Sequence, residues 1–154
     1  MTAPDAEFLR QEYFQLQEAI EKFDEKALTI KAWSVTISMA GIGAAFTETV
    51  PILLLLSAVA SMLFWVTEAL WKTFQQSHYP RIYEIETLMA GLPVDHPTSP
   101  LIATSWAEAW RTRGKLRYLL AVLTWPHVFL PHVVVLVGGF AVWLANLRLH
   151  FLTP

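Results

Sequence analysis

Hydrophobic and polar residues follow one another along this chain in long blocks, and three of the blocks contain no Asp, Glu, Lys or Arg. They comprise 16 residues between Lys31 and Glu48, 19 between Glu48 and Glu68, and 30 between Arg117 and Arg148. About 20 apolar residues in a helix, at ~1.5 Å each, cross the hydrocarbon core of a bilayer. The pattern therefore predicts an all-α integral membrane protein with three transmembrane helices.

The first two blocks are predicted to form a transmembrane hairpin. The second block, TVPILLLLSAVASMLFWVT, predicts a span over about residues 50–70. The first block is shorter, but the long aliphatic stem of Lys31 lets its ammonium group reach the interface, which extends this span to about 28–46. Only a tight turn fits between the spans, so the N-terminus and residues 72–117 are expected on the same side of the membrane.

The third block is too long for one upright span, because 30 helical residues would measure about 45 Å. It contains the triplet Pro-His-Val twice, beginning at Pro126 and at Pro131. Proline bends or ends a helix, since it lacks the backbone N–H. We therefore expect an interfacial or kinked helix over about 115–130 and the third span over about 131–147.

Residues 5–31 are predicted to form a cytoplasmic helix that continues into the first span. No Gly or Pro occurs from Asp5 to Ala40, and apolar residues recur at intervals of three and four, which is typical of a coiled coil or helix bundle. Together with short helices within 72–114, this segment predicts a small cytoplasmic helical bundle and a single domain over 1–154. Its thin core favours self-association. The residues of this expected oligomer seam are Leu9, Tyr13, Leu16, Ile20 and Phe23.

The charge distribution predicts the orientation. Only 16% of the residues are charged, and ten of the eleven basic residues lie in the N-terminal stretch and in residues 72–117. Basic residues concentrate on the cytoplasmic side of membrane proteins. We expect a bacterial inner-membrane protein with its N-terminus in the cytoplasm and its C-terminus outside. There is no broad basic surface, so no nucleic acid is expected as a partner.

A short basic run precedes the third block and is expected to contact the head groups of the lipid bilayer. In an oligomer it could instead form a site for a phosphate ligand. Its members are Arg111, Arg113, Lys115 and Arg117.

Polar residues in and just after the second span lie on one helical face. Ser57, Ser61, Glu68 and Lys72 follow one another at offsets of 4, 7 and 4 residues. This stripe could line a pore that opens toward the cytoplasm, with a ring of Glu68 carboxylates. The alternative is structural: the serines permit close helix packing, and Glu68 and Lys72 form an i,i+4 ion pair at the membrane edge.

A face of small residues on the first span is expected to form a helix contact. Ser34, Ser38, Gly41 and Ala45 lie along this face. Small side chains let helix backbones approach closely in a membrane.

His127 and His132 are the candidate ligand or proton-carrying residues of the third block. Ionisable groups inside a membrane are costly and often functional, so the imidazoles could relay protons, bind a metal or ligate a haem. An offset of five residues does not place both on one face of a regular helix, however. The alternative is that the prolines bend the helix and the histidines bond to the freed carbonyls.

The sequence carries no pattern of catalytic residues. Cysteine is absent, which excludes disulfides and thiolate metal ligands. There is no glycine-rich phosphate loop, no HExxH and no G-x-S-x-G. We therefore expect no enzymatic activity, no bound metal and no cofactor.

The layout of a cytoplasmic helix, a transmembrane hairpin and a further helix resembles the SLATT-type small bacterial membrane effectors. The likeness covers roughly residues 7–90, in segments such as EAIEKFDEKALTIKAWSV and FWVTEALWKTF. It implies an oligomeric, channel-like or membrane-perturbing effector. Two alternatives remain: an accessory or scaffold subunit of a larger membrane complex, and a haem or metal redox protein that uses His127 and His132.

Overall fold

The computed structural model of the protein describes residues 3–94, 102–113, 115–150 and 152. All regular structure within these ranges is α-helical, as the sequence predicts. Three helical stretches, beginning at Ala6, Ile52 and Pro126, are long and apolar enough to cross a membrane. The helices are α1 Ala3–Thr47, α2 Ile52–Gln76, α3 Tyr79–Met89, α4 Ile102–Arg113, α5 Leu116–Leu123 and α6 Pro126–Leu149.

Helix α1 runs without a break through both the polar segment and the first apolar block. Its 45 residues extend over about 68 Å, because each helical residue adds ~1.5 Å. A turn of four residues, 48–51, then reverses the chain into α2, and Thr49 adopts a positive φ of 53° there. The C-terminal part of α1 and the first turns of α2 thus form an antiparallel hairpin.

Helix α2 lies between α1 and α6 and packs on both through small residues. A Cβ atom on Gly41 of α1 would lie 2.2 Å from Ser57 Oγ, and one on Gly139 of α6 would lie 3.3 Å from the backbone oxygen of Leu54. Ala45 is fully buried against Leu54. The small-residue face predicted on the first span is therefore a helix contact.

The third block divides at a different place from the one expected. Helix α5 ends at Leu123 and α6 begins at Pro126, where the missing N–H costs little. Pro131 lies inside α6, so the bend precedes both Pro-His-Val triplets. Contacts with α2 hold the bend there, because Val122 and Val128 on either side of it are both buried against Ala69.

The predicted oligomer seam packs against α3 of the same chain. Leu16 and Ile20 of α1 form one buried cluster with Ile82 and Ile85 of α3, and the partly buried Leu9 and Tyr13 flank it. The ring of Phe23 contacts Trp71 of α2. Self-association through this seam therefore stays a prediction, since these side chains already have partners within the protomer.

A buried ion pair joins the same two helices. The guanidinium of Arg81 donates from Nε and Nη2 to the two carboxylate oxygens of Glu12, both at 2.8 Å, and Nη1 pairs with Glu84. The hydrogen bond to Glu12 raises the pKa of Arg81 above its already high value, so this cation stays charged although it is buried.

Aromatic rings hold α4 against the end of α2. Phe74 stacks on Trp106 and Trp110, with ring centroids 6.1 Å and 4.6 Å away. The indole N–H of Trp106 donates to the backbone oxygen of Phe74. Beside this stack lies a groove of about 460 Å³, in whose wall His78 takes part.

We expect acidification to destabilise the protein through His78. Burial disfavours the imidazolium and lowers the pKa of His78 below its ordinary value, and its Nδ1 atom is buried without a hydrogen-bond partner. Below the ordinary histidine pKa of about 6.5 the unfolded chain therefore binds more protons than the folded one. This contribution to stability is complete above that pH and declines as the pH falls toward the lowered pKa.

The measurement compares thermal unfolding of the wild type and of His78→Phe in detergent, between about pH 7 and about pH 5. The wild type should lose more stability than the variant over this range. Parallel losses in the two proteins would show that His78 contributes nothing to the pH dependence.

The hairpin turn and the short helices lie at opposite ends of the bundle of long helices. The hairpin turn and Leu152 lie at one end, where Leu152 is buried against Ala45 and Leu54, and its N–H donates to Asn146 Oδ1. The polar part of α1, α3 and α4 lie at the other end. This arrangement is the one that three crossings would produce.

Candidate functional site: a buried ionic network between three helices

The carboxylate of Glu68 on α2 is fully buried and has partners on both neighbouring long helices. Its Oε1 atom pairs with the ammonium of Lys31 on α1, and its Oε2 atom lies 2.9 Å from His132 Nε2 on α6. Glu68 lies 16 residues after the start of α2, about 24 Å along its axis from the hairpin. In a hydrocarbon core of about 30 Å this position would lie near the edge opposite the hairpin turn.

His132 is also fully buried and both ring nitrogens have partners. Its Nδ1 atom lies 2.8 Å from Ser34 Oγ on α1, and its backbone oxygen accepts from Ser61 Oγ at 2.9 Å. A neutral imidazole with its proton on Nε2 satisfies every partner: Nε2–H donates to the Glu68 carboxylate, and Nδ1 accepts from the Ser34 hydroxyl. The network therefore needs no second buried cation besides Lys31.

Hydroxyl groups continue from this network toward the hairpin. Ser38 Oγ donates to the backbone oxygen of Ser57 at 3.4 Å, and Ser57 Oγ donates to the oxygen of Leu53 at 2.8 Å. Beyond Ser57 the interior is closed by the apolar cluster of Ala45, Leu54 and Leu152. The polar interior thus extends through much of the bundle but ends before the hairpin turn.

Access to the network lies at the end of the helix bundle opposite the hairpin turn. The side chain of Lys31 is 22% exposed, whereas those of Glu68 and His132 are fully buried. Lys31 stands where the polar part of α1 gives way to its apolar part. It therefore connects the buried carboxylate to the surface.

The polar stripe of α2 faces the interior of its own protomer. Ser57, Ser61 and Glu68 are all buried between α1 and α6. Lys72 does not pair with Glu68: it binds Asp24 of α1 and Gln75 instead, so the expected i,i+4 ion pair was wrong. A pore lined by Glu68 from several copies stays a prediction.

The structure separates the two histidines of the third block. His127 is exposed near the start of α6, next to the ring of Trp125, whereas His132 belongs to the buried network. Neither ring nitrogen of His132 is free, so ligation of a metal or haem would break one of its hydrogen bonds. Across the described ranges, no group of three His, Cys, Asp or Glu side chains is placed to hold a metal ion.

The basic run before the third block lies at the surface. Arg111, Lys115 and Arg117 are exposed, and the side chain of Arg113 lies outside the described part of the structure. Contact of these residues with lipid head groups stays a prediction.

Ser34, His132 and Glu68 have the hydrogen-bonding order of a Ser-His-acid triad, but two features needed for acyl transfer are missing around them. Ser34 is 1% exposed, so a substrate does not reach its hydroxyl. It also lies within the continuous helix α1, where backbone N–H groups are engaged in helical bonds and cannot form an oxyanion hole.

Sequence reasoning missed Lys31 and Ser34 as members of the site. Both lie on α1 and contact their partners only across helix interfaces. Lys31 pairs with Glu68, which is 37 positions away in the sequence, and Ser34 bonds to His132, which is 98 positions away. Lys31 carried one usable signal, because it is a cation at the start of the first apolar block and the hairpin brings that end of the block next to Glu68.

Comparisons with protein-family models, with curated proteins and with solved structures found no match to this chain. The similarity to SLATT-type effectors is therefore one of layout, and it bears on function only as a hypothesis.

Proposed function

We propose that this chain is a small, non-enzymatic bacterial inner-membrane protein that acts in a channel-like manner, with protons as the permeating species. The observation that carries the proposal is the buried hydrogen bond between Glu68 and His132 inside the bundle of long helices. Ionisable groups at such depth are expensive, and they usually mark ion pathways or proton relays. Here they lie next to a cation that is open to the cytoplasmic side.

The two central proton transfers in this proposal take place along observed hydrogen bonds, from Ser34 to His132 and from His132 to Glu68. His132 releases its Nε2 proton to the Glu68 carboxylate and gains one on Nδ1 from the Ser34 hydroxyl. A proton delivered by water from the hairpin side restores Ser34, and Glu68 releases its proton to water beside the Lys31 ammonium on the cytoplasmic side. The transfer leaves His132 neutral but with its proton on Nδ1, so the imidazole ring must turn over before it can donate to Glu68 again.

The apolar cluster at the outer end supplies the gate. Ala45, Leu54 and Leu152 separate the serine hydroxyls from the hairpin end and contain no polar side chain. Such apolar constrictions block permeation while they remain dry. Proton flow then requires water to enter this cluster, which provides a place for a trigger to act.

We expect Glu68→Gln to reduce proton flux across liposome membranes to the level of liposomes without protein. The amide keeps the shape of the side chain but cannot carry the proton between His132 and Lys31. The measurement is acidification of vesicles that contain a pH-sensitive dye, with purified protein reconstituted at equal density. The matched control is Glu48→Gln, since Glu48 is exposed at the hairpin turn.

Circular dichroism and a thermal melt show whether both variants retain the helical fold. Equal flux through folded Glu68→Gln and the wild type would disprove a relay through this carboxylate.

The proposed orientation places α3 and α4 in the cytoplasm and the hairpin turn outside. The chain has no cysteine, so single cysteines can be introduced without a background signal. In intact cells a membrane-impermeant thiol reagent should label Glu48→Cys and should label Glu21→Cys only after lysis. Both positions are exposed in the structure. The reverse labelling pattern would invert the topology.

A second candidate is an accessory subunit within a larger membrane complex. The buried polar side chains of α2 have their partners within the protomer. The long helices expose large apolar side chains such as Leu63, Val134 and Val137. Such a surface suits lipid or the helices of other subunits. The mass of the gently extracted complex separates the candidates, because a symmetric homo-oligomer favours the effector and foreign chains favour the accessory role.

A further inference from the structure

The groove beside α4 has the features of a binding site for an apolar chain. It measures about 460 Å³, which is within the range of small-ligand sites. Helices α1, α2 and α4 all contribute to its walls. The lining residues are Phe23, Trp71, Phe74, His78, Ile102, Ala103 and Trp106.

The polar atoms in the aromatic walls of the groove offer no hydrogen bonds to an occupant. The indole N–H of Trp71 donates to the backbone oxygen of Phe23 at 3.1 Å, and that of Trp106 donates to the oxygen of Phe74 at 3.3 Å. The Nδ1 atom of His78 is enclosed and out of reach of a molecule in the groove. An occupant therefore meets ring faces and hydrocarbon, which favours an acyl chain over a hydrogen-bonding metabolite.

The groove lies at the level of the membrane interface. Trp71 is 19 residues from Ile52 at the start of α2, about 29 Å along the axis, which equals the thickness of the hydrocarbon core. Trp106 stacks on Phe74, one helical turn further from the hairpin. Tryptophan is enriched at this depth in membrane proteins, where lipid chains meet their head groups.

Exposed basic residues follow the groove-lining part of α4 in the chain. Arg111 is five residues after Trp106 on α4, about 8 Å further along the axis, and Lys115 and Arg117 follow directly. All three are exposed, and none forms an ion pair with a described residue. The apolar groove and the cations complement the two halves of an anionic phospholipid.

We infer that this groove binds an acyl chain of an anionic phospholipid from the cytoplasmic leaflet, whose head group contacts Arg111, Lys115 and Arg117. The site would tether α4 to the bilayer surface. The inference rests on insertion of the long helices into a membrane, but not on proton transfer by Glu68. Loss of proton flux and loss of lipid binding are therefore separate results.

Tryptophan fluorescence tests the inference with the full chain in vesicles of zwitterionic phosphatidylcholine. A small fraction of the lipid is replaced by either phosphatidylglycerol or phosphatidylcholine with brominated chains, which quench nearby indoles. The difference between wild type and Trp106→Phe isolates the quenching of the groove wall. We expect the brominated anionic lipid to reach half-maximal quenching at a roughly tenfold lower fraction, since each basic residue favours it electrostatically.

Two sets of variants separate the acyl chain from the head group. Ala103→Phe fills the groove and should abolish the selective quenching, whereas Ala107→Phe, also at an exposed position of α4, should leave it intact. Replacing Arg111, Lys115 and Arg117 by glutamine should remove the preference for the anionic lipid. Equal quenching by both brominated lipids, or full quenching in Ala103→Phe, would overturn the inference.

Discussion

Replacing Glu12 by alanine is expected to lower the stability of the contact between α1 and α3 by about 3 kcal/mol, because the substitution removes the bidentate carboxylate partner of a buried guanidinium. Arg81 is 2% exposed and makes two 2.8 Å bonds to this carboxylate. The remaining contact of Arg81 with Glu84 limits the loss to the lower end of the usual range. Hydrogen exchange of α3 amides in detergent measures the effect, since α3 should detach from α1 first.

Glu18→Ala is the matched control, because Glu18 lies on the same helix but is exposed. This substitution should leave the protection of α3 amides from exchange unchanged. The double variant Glu12→Leu/Arg81→Met removes both charges and should recover most of the stability lost in Glu12→Ala. If the double variant is as unstable as Glu12→Ala, the loss does not come from removing the carboxylate partner of the buried cation.

Adding a single methyl group at Gly41 is expected to be among the most damaging small changes within the membrane. The Cβ of Gly41→Ala would lie 2.2 Å from Ser57 Oγ, so the serine must leave its bond to Leu53 or the helices must separate. Overpacking of this kind costs about 1–3 kcal/mol. Any separation of α1 from α2 also pulls Lys31 away from Glu68. Thermal unfolding in mild detergent measures the loss.

Gly43 provides the control two residues further along α1. A Cβ atom there has no neighbour within 4 Å, so Gly43→Ala should not lower the melting temperature. The pair Gly41→Ala/Ser57→Ala should restore stability, because the Cβ of residue 57 lies at an ordinary 3.5 Å. Equal melting temperatures for Gly41→Ala and Gly43→Ala would contradict close packing of α1 on α2.

The long elements of this fold are readable from the sequence because their signals are local. Uninterrupted apolar blocks and the absence of Gly and Pro from Asp5 to Ala40 predict α1 and the hairpin. The bend in the third block was harder to place. Proline marks two positions where a helix can start, and the choice of Pro126 depends on contacts of Val122 and Val128 with α2, which are not visible in the local pattern.

The buried network could be predicted only in part. Glu68 and His132 stood out as ionisable groups in apolar surroundings, but their mutual contact joins α2 to α6, and no local spacing encodes it. The pairing of Lys31 with Glu68 was more accessible. A tight turn near residue 49 brings positions at equal distances from it to the same height, and these two lie 18 and 19 residues away. The i,i+4 partner Lys72 was the more obvious choice and was wrong.

The unbroken course of α1 has a mechanical consequence. Helix α1 has no Gly or Pro from Asp5 to Ala40, so no hinge interrupts this stretch and we expect it to move as one rigid rod. Its N-terminal half carries the side chains that pack against α3, and the half nearer the hairpin carries Lys31 and Ser34. A twist of α1 about its axis at Leu16 would turn both donors relative to Glu68 and His132 by the same angle. Torque applied at the α3 end of α1 would therefore reach the buried ionic network without any unfolding between the two.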